Sequence, residues 1–351
     1  DKMNDWWIGT HEQLLFVQRN IFTLIPSING FALTERTDGS LLLGSGKGEL
    51  FIRQSAAADF KQFQKIFPGA EITSALEDAN GALWLTSVNH GLARSYKGSV
   101  KFFSVKDGVL DNTCYQLLAG EPGILYAMGD GGVTQINYAE KDRPSFITYT
   151  CPANGTDFPV VRSAVRTHDG RLFFAGNSGL LEIKNDSLEP LNITGSPRQA
   201  YIMTDIIMDP SGHIWISTVG DGILCCSYEN GVIRFRKSLL PADGLASSIY
   251  LRLLRDNDQR VWAVNNRGIT RLTPDGPDRC IIDNYGVMQG FQDKPFHGVR
   301  LLQDSHQRIW VATSSGVSYF HPAAVSTQYT VPVPVITGIT LLAGFASTVF
   351  W

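Results

Sequence analysis

The stretch DPSGHIWISTVGDGILCCSY at 209–228 recurs along the chain, and that recurrence limits the possible folds more than any other feature. It reads as a tight turn, a short apolar strand, a polar loop with glycine and a second strand. Asp209 can bond turn amides through its side chain, and Gly212 tolerates positive φ, as a hairpin requires. Ile214, Trp215 and Ile216 are β-branched or aromatic strand formers. Equivalent stretches centre on Trp7, Leu42, Trp84, Tyr126, Phe173, Trp215, Trp262 and Trp310, with successive spacings of 35, 42, 42, 47, 42, 47 and 48 residues. Eight such copies, with strands and no helical pattern, mark an all-β fold. A period of about 40–50 residues specifies a β-propeller of four-stranded blades.

From Phe31 onward the order within each unit is constant. An innermost strand comes first, at 72–76, 115–118, 161–165, 202–208, 250–254 and 299–302. The Trp-bearing strand is second, a third follows a glycine (91–96 and 316–320), and the fourth is outermost (100–105 and 232–235). Counting innermost strands from Phe31 predicts seven blades across 20–325, with no clear fourth strand in the last. Residues 20–24 can supply it, pairing the N- and C-terminal strands and removing exposed sheet edges. Residues 1–19 are then a remnant of an upstream propeller or an incomplete blade. The alternative is eight blades, with 333–342 completing the first.

Composition bounds the rest. A chain of 351 residues could hold two or three domains, but all-β repeats run longer as one unit. The 34 glycines and 18% charged residues suit many turns and short strands, and the net charge of −3 leaves no basic footprint for nucleic acid. The five cysteines (114, 151, 225, 226 and 280) lack CxxC spacing and read as small core or blade-surface residues. Cys225 and Cys226, adjacent on a strand, should face opposite sides. No signal-peptide pattern opens the chain, which reads as a mature or trimmed form or as a chain that is not secreted. The recurrent tryptophans are expected to pack between adjacent sheets. The recurrent Asp–Gly turn lacks the carboxylate density of a calcium site. Residues 331–351 carry no charge and could begin a membrane helix. Pro332, Pro334, Gly338, Gly344 and many β-branched residues argue instead for a strand at 335–343.

No G-x-S-x-G elbow, H-E-x-x-H or phosphate loop is present, so no catalytic residue, metal or cofactor is expected. His168, His213 and His306 fall in or beside hairpin turns and should be solvated. His90, Asp130, Asp221 and Arg267 lie in loops between second and third strands, with Lys47, Asn89 and Asn177 at equivalent places. Tyr250 and His297 stand at or just before innermost strands, as do Tyr115, Arg162, Tyr201 and Phe296. In a propeller both kinds of loop share one face, around the mouth of the central channel. Polar donors interleaved with aromatics suit a sugar or similar polar ligand, which needs hydrogen bonds and a stacking plane. The plain alternative is that loops are polar because they face water.

The repeat pattern D-x-x-G-x-[LI]-W-[IL]-[GS]-T followed by G-[LIV]-x-x-[FY] resembles the two-component regulator propeller repeat. That repeat builds periplasmic sensor regions of bacterial hybrid histidine kinases. DGVLDN at 107–112 and DGLASS at 243–248 resemble the family's linker before each innermost strand. FHP at 320–322 and VPVPVITG at 331–338 resemble the start of the β-sandwich, named for its tyrosines, that follows the propeller. Leu42 and Tyr126 stand in place of Trp, Gln259 and Gln307 replace the turn Gly, and the sandwich at 326–351 stops almost at once. The resemblance implies a periplasmic, non-enzymatic ligand-recognition domain that binds a small polar ligand such as an oligosaccharide. It also implies a homodimeric receptor, reaching the membrane and a kinase only through segments outside this chain. A propeller enzyme, either a lyase or a hydrolase, and a protein-binding scaffold are the alternatives.

Overall fold

The second strand of each repeat is its apolar centre. Leu83–Ser87, Val261–Asn265 and Ile309–Thr313 are buried along their whole length, as strands paired on both edges and covered on both faces must be. In the computed structural model these strands sit within seven four-stranded antiparallel sheets, which form a seven-bladed propeller with almost no helix. The structure describes residues 6–9, 14–17, 21–25, 28–55, 58–140, 143–150, 159–199, 201–275, 279–291 and 298–325.

Blades one to six run in chain order from their innermost strands Gly30–Glu35, Ile72–Glu77, Cys114–Ala119, Val161–Arg166, Met203–Met208 and Tyr250–Arg255. Blade seven begins at Arg300–Gln303 and takes its outer strand from the other end of the chain. Thr23–Ile25 pairs antiparallel with Gly316–Phe320, Thr23 opposite Tyr319 and Ile25 opposite Val317. The closure predicted from sequence is therefore present, with the strand starting at residue 23 and ending at 25 where 20–24 was expected. Phe22 explains the offset: it is buried edge-on against Phe291 and Phe320, so the segment's most apolar side chain anchors it and pairing starts just after. Strands Trp6–Gly9 and Leu14–Val17 form a separate two-stranded sheet. Residues 326–351, which hold the candidate membrane helix and the expected sandwich strand, lie outside the described residues. Among the described residues, no helix is long and apolar enough to cross a membrane.

Seven apolar clusters fill the spaces between neighbouring blades, and the repeat position supplies one side chain to each. Leu42, Trp84, Tyr126, Phe173, Trp215, Trp262 and Trp310 each pack against the blade that follows, with Trp310 closing onto blade one. Trp84, Trp262 and Trp310 are fully buried, and each indole N–H donates to the aspartate six residues before it: Asp78 at 2.8 Å, Asp256 at 2.8 Å and Asp304 at 2.7 Å. The other oxygen of each carboxylate accepts turn amides at positions two and four residues on. One carboxylate thus both closes the hairpin and satisfies the buried indole. At Asp209 the ring of His213 takes that oxygen at 3.0 Å, and the buried Trp215 N–H has no partner. Gln259 and Gln307 adopt φ of 64° where other turns have glycine. Cys225 packs toward blade six and Cys226 toward blade four, as alternation requires; Cys151 lies outside the described residues.

Candidate functional site

Six innermost strands share an irregularity at their start. The pairing register with the second strand shifts at the second residue, between Gly30 and Ala32, Ile72 and Ser74, Cys114 and Gln116, Val161 and Ser163, Met203 and Asp205, and Tyr250 and Arg252. A bulge leaves one residue outside the ladder and re-aims its backbone and side chain. Phe31, Thr73, Tyr115, Arg162, Thr204 and Leu251 occupy these positions. The residues just after them form a ring of equivalent positions, of which Ser74, Gln116, Ser163, Asp205, Arg252 and Arg300 line the central channel.

Two arginines of this ring close the channel at its neck. Arg300, on blade seven, donates to the carbonyls of Thr73 on blade two and Tyr115 on blade three, and at 2.8 Å to that of Val299. Arg252 donates to the carbonyl of Thr204 at 2.7 Å and to that of Val299 at 3.3 Å. An inner strand edge exposes backbone groups that need partners, and these carbonyls find them in guanidinium groups. Amides of the same edges are met by ring side chains: Ser74 Oγ accepts from Leu117 N at 3.1 Å, and Asp205 Oδ2 from Leu253 N at 2.8 Å. Burial pushes both arginines below their ordinary range, with Arg252 adding to the effect on Arg300 and Asp205 opposing it. Guanidinium groups nevertheless stay protonated in proteins.

Above the neck, on the face where innermost strands begin, three side chains meet. The Tyr115 hydroxyl donates to Asp130 Oδ1 at 2.8 Å, and the Arg162 guanidinium lies 5.3 Å from the centre of the Tyr115 ring. Burial and the Asp130 bond push the Tyr115 hydroxyl up to about 12. This group offers a carboxylate, a cation and an aromatic edge at the channel mouth, and Tyr115 joins it to the neck through its own carbonyl.

The other residues singled out from sequence fare differently. His90 is exposed on its loop, with its Nδ1 3.2 Å from the Val88 carbonyl and its ring edge-on to Phe67. Asp221 is half-buried and holds Arg198 in an ion pair at 2.9 Å. Arg267 is exposed, its backbone amide bonded to Asn265. These three stand on separate loops of the same face, each with its own surroundings. Tyr250 is a correction: it is fully buried and bonds Thr270 Oγ1 at 2.9 Å, so it belongs to the packing between blades five and six and not to the mouth. His297 and Phe296 lie outside the described residues.

The sequence reading missed Arg252, Arg300 and Asp205. Their signal was available: a charged residue at one register position inside otherwise apolar innermost strands. Among the described residues, no group of three or more His, Cys, Asp or Glu side chains is placed to hold a metal ion.

No protein-family model and no curated protein matches this chain. Solved structures of similar shape include the extracellular domain assigned to the hybrid two-component system BT3049 of B. thetaiotaomicron, with a TM-score of 0.70 and 16% identity over 92% of this chain and 44% of that one. The extracellular domain assigned to the hybrid two-component system BT4673 of the same organism gives a TM-score of 0.52 and 19% identity over 91% and 44%. Virginiamycin B lyase from Staphylococcus aureus gives 0.65 and 16% over 86% and 99%. At such identities the likeness establishes a shared fold. This chain spans less than half of the two-component structures it matches.

Proposed function

We propose that this propeller is the ligand-recognition part of an extracytoplasmic sensor in a two-component signalling receptor. It takes a small polar ligand, of carbohydrate type, at the upper mouth and passes the signal to a kinase outside this chain. The observation that carries the reading is the cluster of Tyr115, Asp130 and Arg162. A carboxylate, a guanidinium and a phenol ring around one opening provide the acceptors, donors and stacking edge that a polyhydroxyl ligand uses. Asp221, Arg267 and His90 stand on neighbouring loops of that face and can extend the contact. The fold shared with extracellular domains of two-component systems supports the same direction, as does the repeat pattern. Location outside the cytoplasm and pairing of two receptors belong to this proposal.

A sensor needs affinity coupled to a change in assembly, not a tuned acid or base. A glycan library screened by thermal shift, with parallel assay for product, tests this. Binding without conversion is expected, weakened about tenfold by Arg162→Ala or Asp130→Asn with melting temperature little changed. Unchanged affinity in both variants, and in Arg267→Ala, would move the site off this face. The shared fold with virginiamycin B lyase keeps an enzymatic reading in the test, and conversion lost in either variant would establish it.

A further inference from the structure

We infer that the channel below the neck is a second binding site, for a small hydroxy-carboxylate held from above by Arg252 and Arg300. It is distinct from the upper mouth, and its ring residues face a cavity of about 460 Å³, within the size range of small-molecule sites. The cavity extends from the arginine neck to the far ends of the innermost strands, where Arg166 and Arg255 stand at its rim.

Hydrogen bonding at the neck leaves more donors than acceptors unpaired. Ser74 and Ser163 are engaged, and Asp205 accepts from Ser163 Oγ, Ile206 N and Leu253 N. What remains is a pair of cationic donors and one neutral acceptor. Arg300 Nε is buried without a partner, Arg252 spends Nε and Nη1 on carbonyls and has Nη2 left, and Gln116 Oε1 is buried without a partner. Buried polar atoms are rarely left unsatisfied unless something else meets them.

Charge points the same way. Two guanidinium groups face one carboxylate, and the carbonyls they bond carry no compensating charge. An enclosed, uncompensated positive charge is costly, and an anion offsets it. A carboxylate accepts from two guanidinium groups at once. Gln116 lines the cavity, and a rotation of its amide brings the unpartnered Oε1 out to a ligand hydroxyl. Among the described residues, Arg255 at the rim is paired only with the neutral Gln259, and it draws anions inward.

Titration calorimetry on the whole chain with sodium D-gluconate, sorbitol and sodium acetate tests this. Gluconate and sorbitol share a polyhydroxyl chain and differ at the carboxylate. The expected result is saturable gluconate binding, weakening as salt rises, with sorbitol at least about tenfold weaker. Gln116→Leu should weaken gluconate without affecting acetate. Arg252→Gln should weaken both about tenfold. Arg300 ties three blades together, so Arg252→Lys, which retains charge and loses the planar fork, is the second variant and should fall between Arg252→Gln and the parent. Arg162→Ala at the upper mouth removes only a neighbouring charge from Arg252 and should weaken gluconate far less than Arg252→Gln, so that failure of either site is read separately. Equal binding of gluconate and sorbitol, competition by chloride alone, no carboxylate binding, or gluconate affinity indifferent to Arg252→Gln would each overturn the assignment.

Discussion

Arg300 reaches across the propeller axis and donates through Nη2 to the backbone carbonyl of Tyr115, three blades away. A ring of sheets is held mainly by packing between neighbours, so a bond between opposite blades is a separate constraint. The same nitrogen also bonds the carbonyl of Thr73, so one side chain fixes the relative positions of blades two, three and seven. Arg300→Leu leaves these carbonyls unpaired at the channel wall. A loss of about 3 kcal/mol is expected in urea unfolding, since one orphaned buried group costs about 1–3 kcal/mol. A loss below about 0.5 kcal/mol would mean that water replaces the guanidinium fully.

The tryptophan positions separate packing from hydrogen bonding. Trp262→Ala should cost about 3–5 kcal/mol through the cavity it leaves. Trp262→Phe retains most of the ring and loses the bond to Asp256, so about 1.5–3 kcal/mol is expected. Trp215 has no such bond, and Trp215→Phe should cost less than Trp262→Phe under the same conditions. Equal costs for the two Phe variants would show that the indole–aspartate bond contributes nothing net.

Tyr250 gives the clearest contrast with a loop residue. Tyr250→Ala should lower stability by about 3–5 kcal/mol, and Tyr250→Phe by about 1 kcal/mol through loss of the Thr270 bond. Melting curves of both variants check this. A Tyr250→Ala protein as stable as the parent would return this side chain to the mouth.

Acid should loosen the blade hairpins. Burial by itself would raise the Asp304 carboxyl, but the Trp310 indole, the Arg308 amide and the Arg308 guanidinium outweigh it and hold it below its ordinary value of 3.8. A carboxylate depressed on folding contributes stability that is fully present above its unfolded value and is lost as pH falls through the folded one. The Asp304 contribution should therefore be constant at neutral pH and decline below about 3.8. Asp304→Asn should be less stable than the parent at neutral pH, and the gap should narrow toward pH 2. A constant gap across that range in pH-dependent unfolding would contradict the assignment.

Closure predicts a sharp dependence on where the chain is shortened. Removing residues 1–19 leaves Phe22 and Thr23–Ile25 in place, and a folded monomer is expected by light scattering. Removing residues 1–26 takes away both, exposing the edge of Gly316–Phe320 and promoting aggregation. Identical behaviour of the two truncations would show that the closing strand is dispensable.

The sequence by itself determined the blade, its repetition and its closure. The period, the alternating apolar strands, the Asp turn and the Trp are local, and each copy restates them. It also determined which loops share a face, because equivalent positions in a ring are equivalent in space. Only the tertiary structure decided which side chains meet at the axis. Plain alternation sets Tyr250 and Arg252 on one side of their strand, yet Tyr250 is core and Arg252 lines the channel, because the register shifts between them. Asp130, Tyr115 and Arg162 come together across two blades, whereas His90, Asp221 and Arg267 stand apart on the same face. Arg300 meets Tyr115 over a separation of 185 residues. Such pairings depend on the ring's diameter and on seven small rotations between sheets, and no local pattern encodes them.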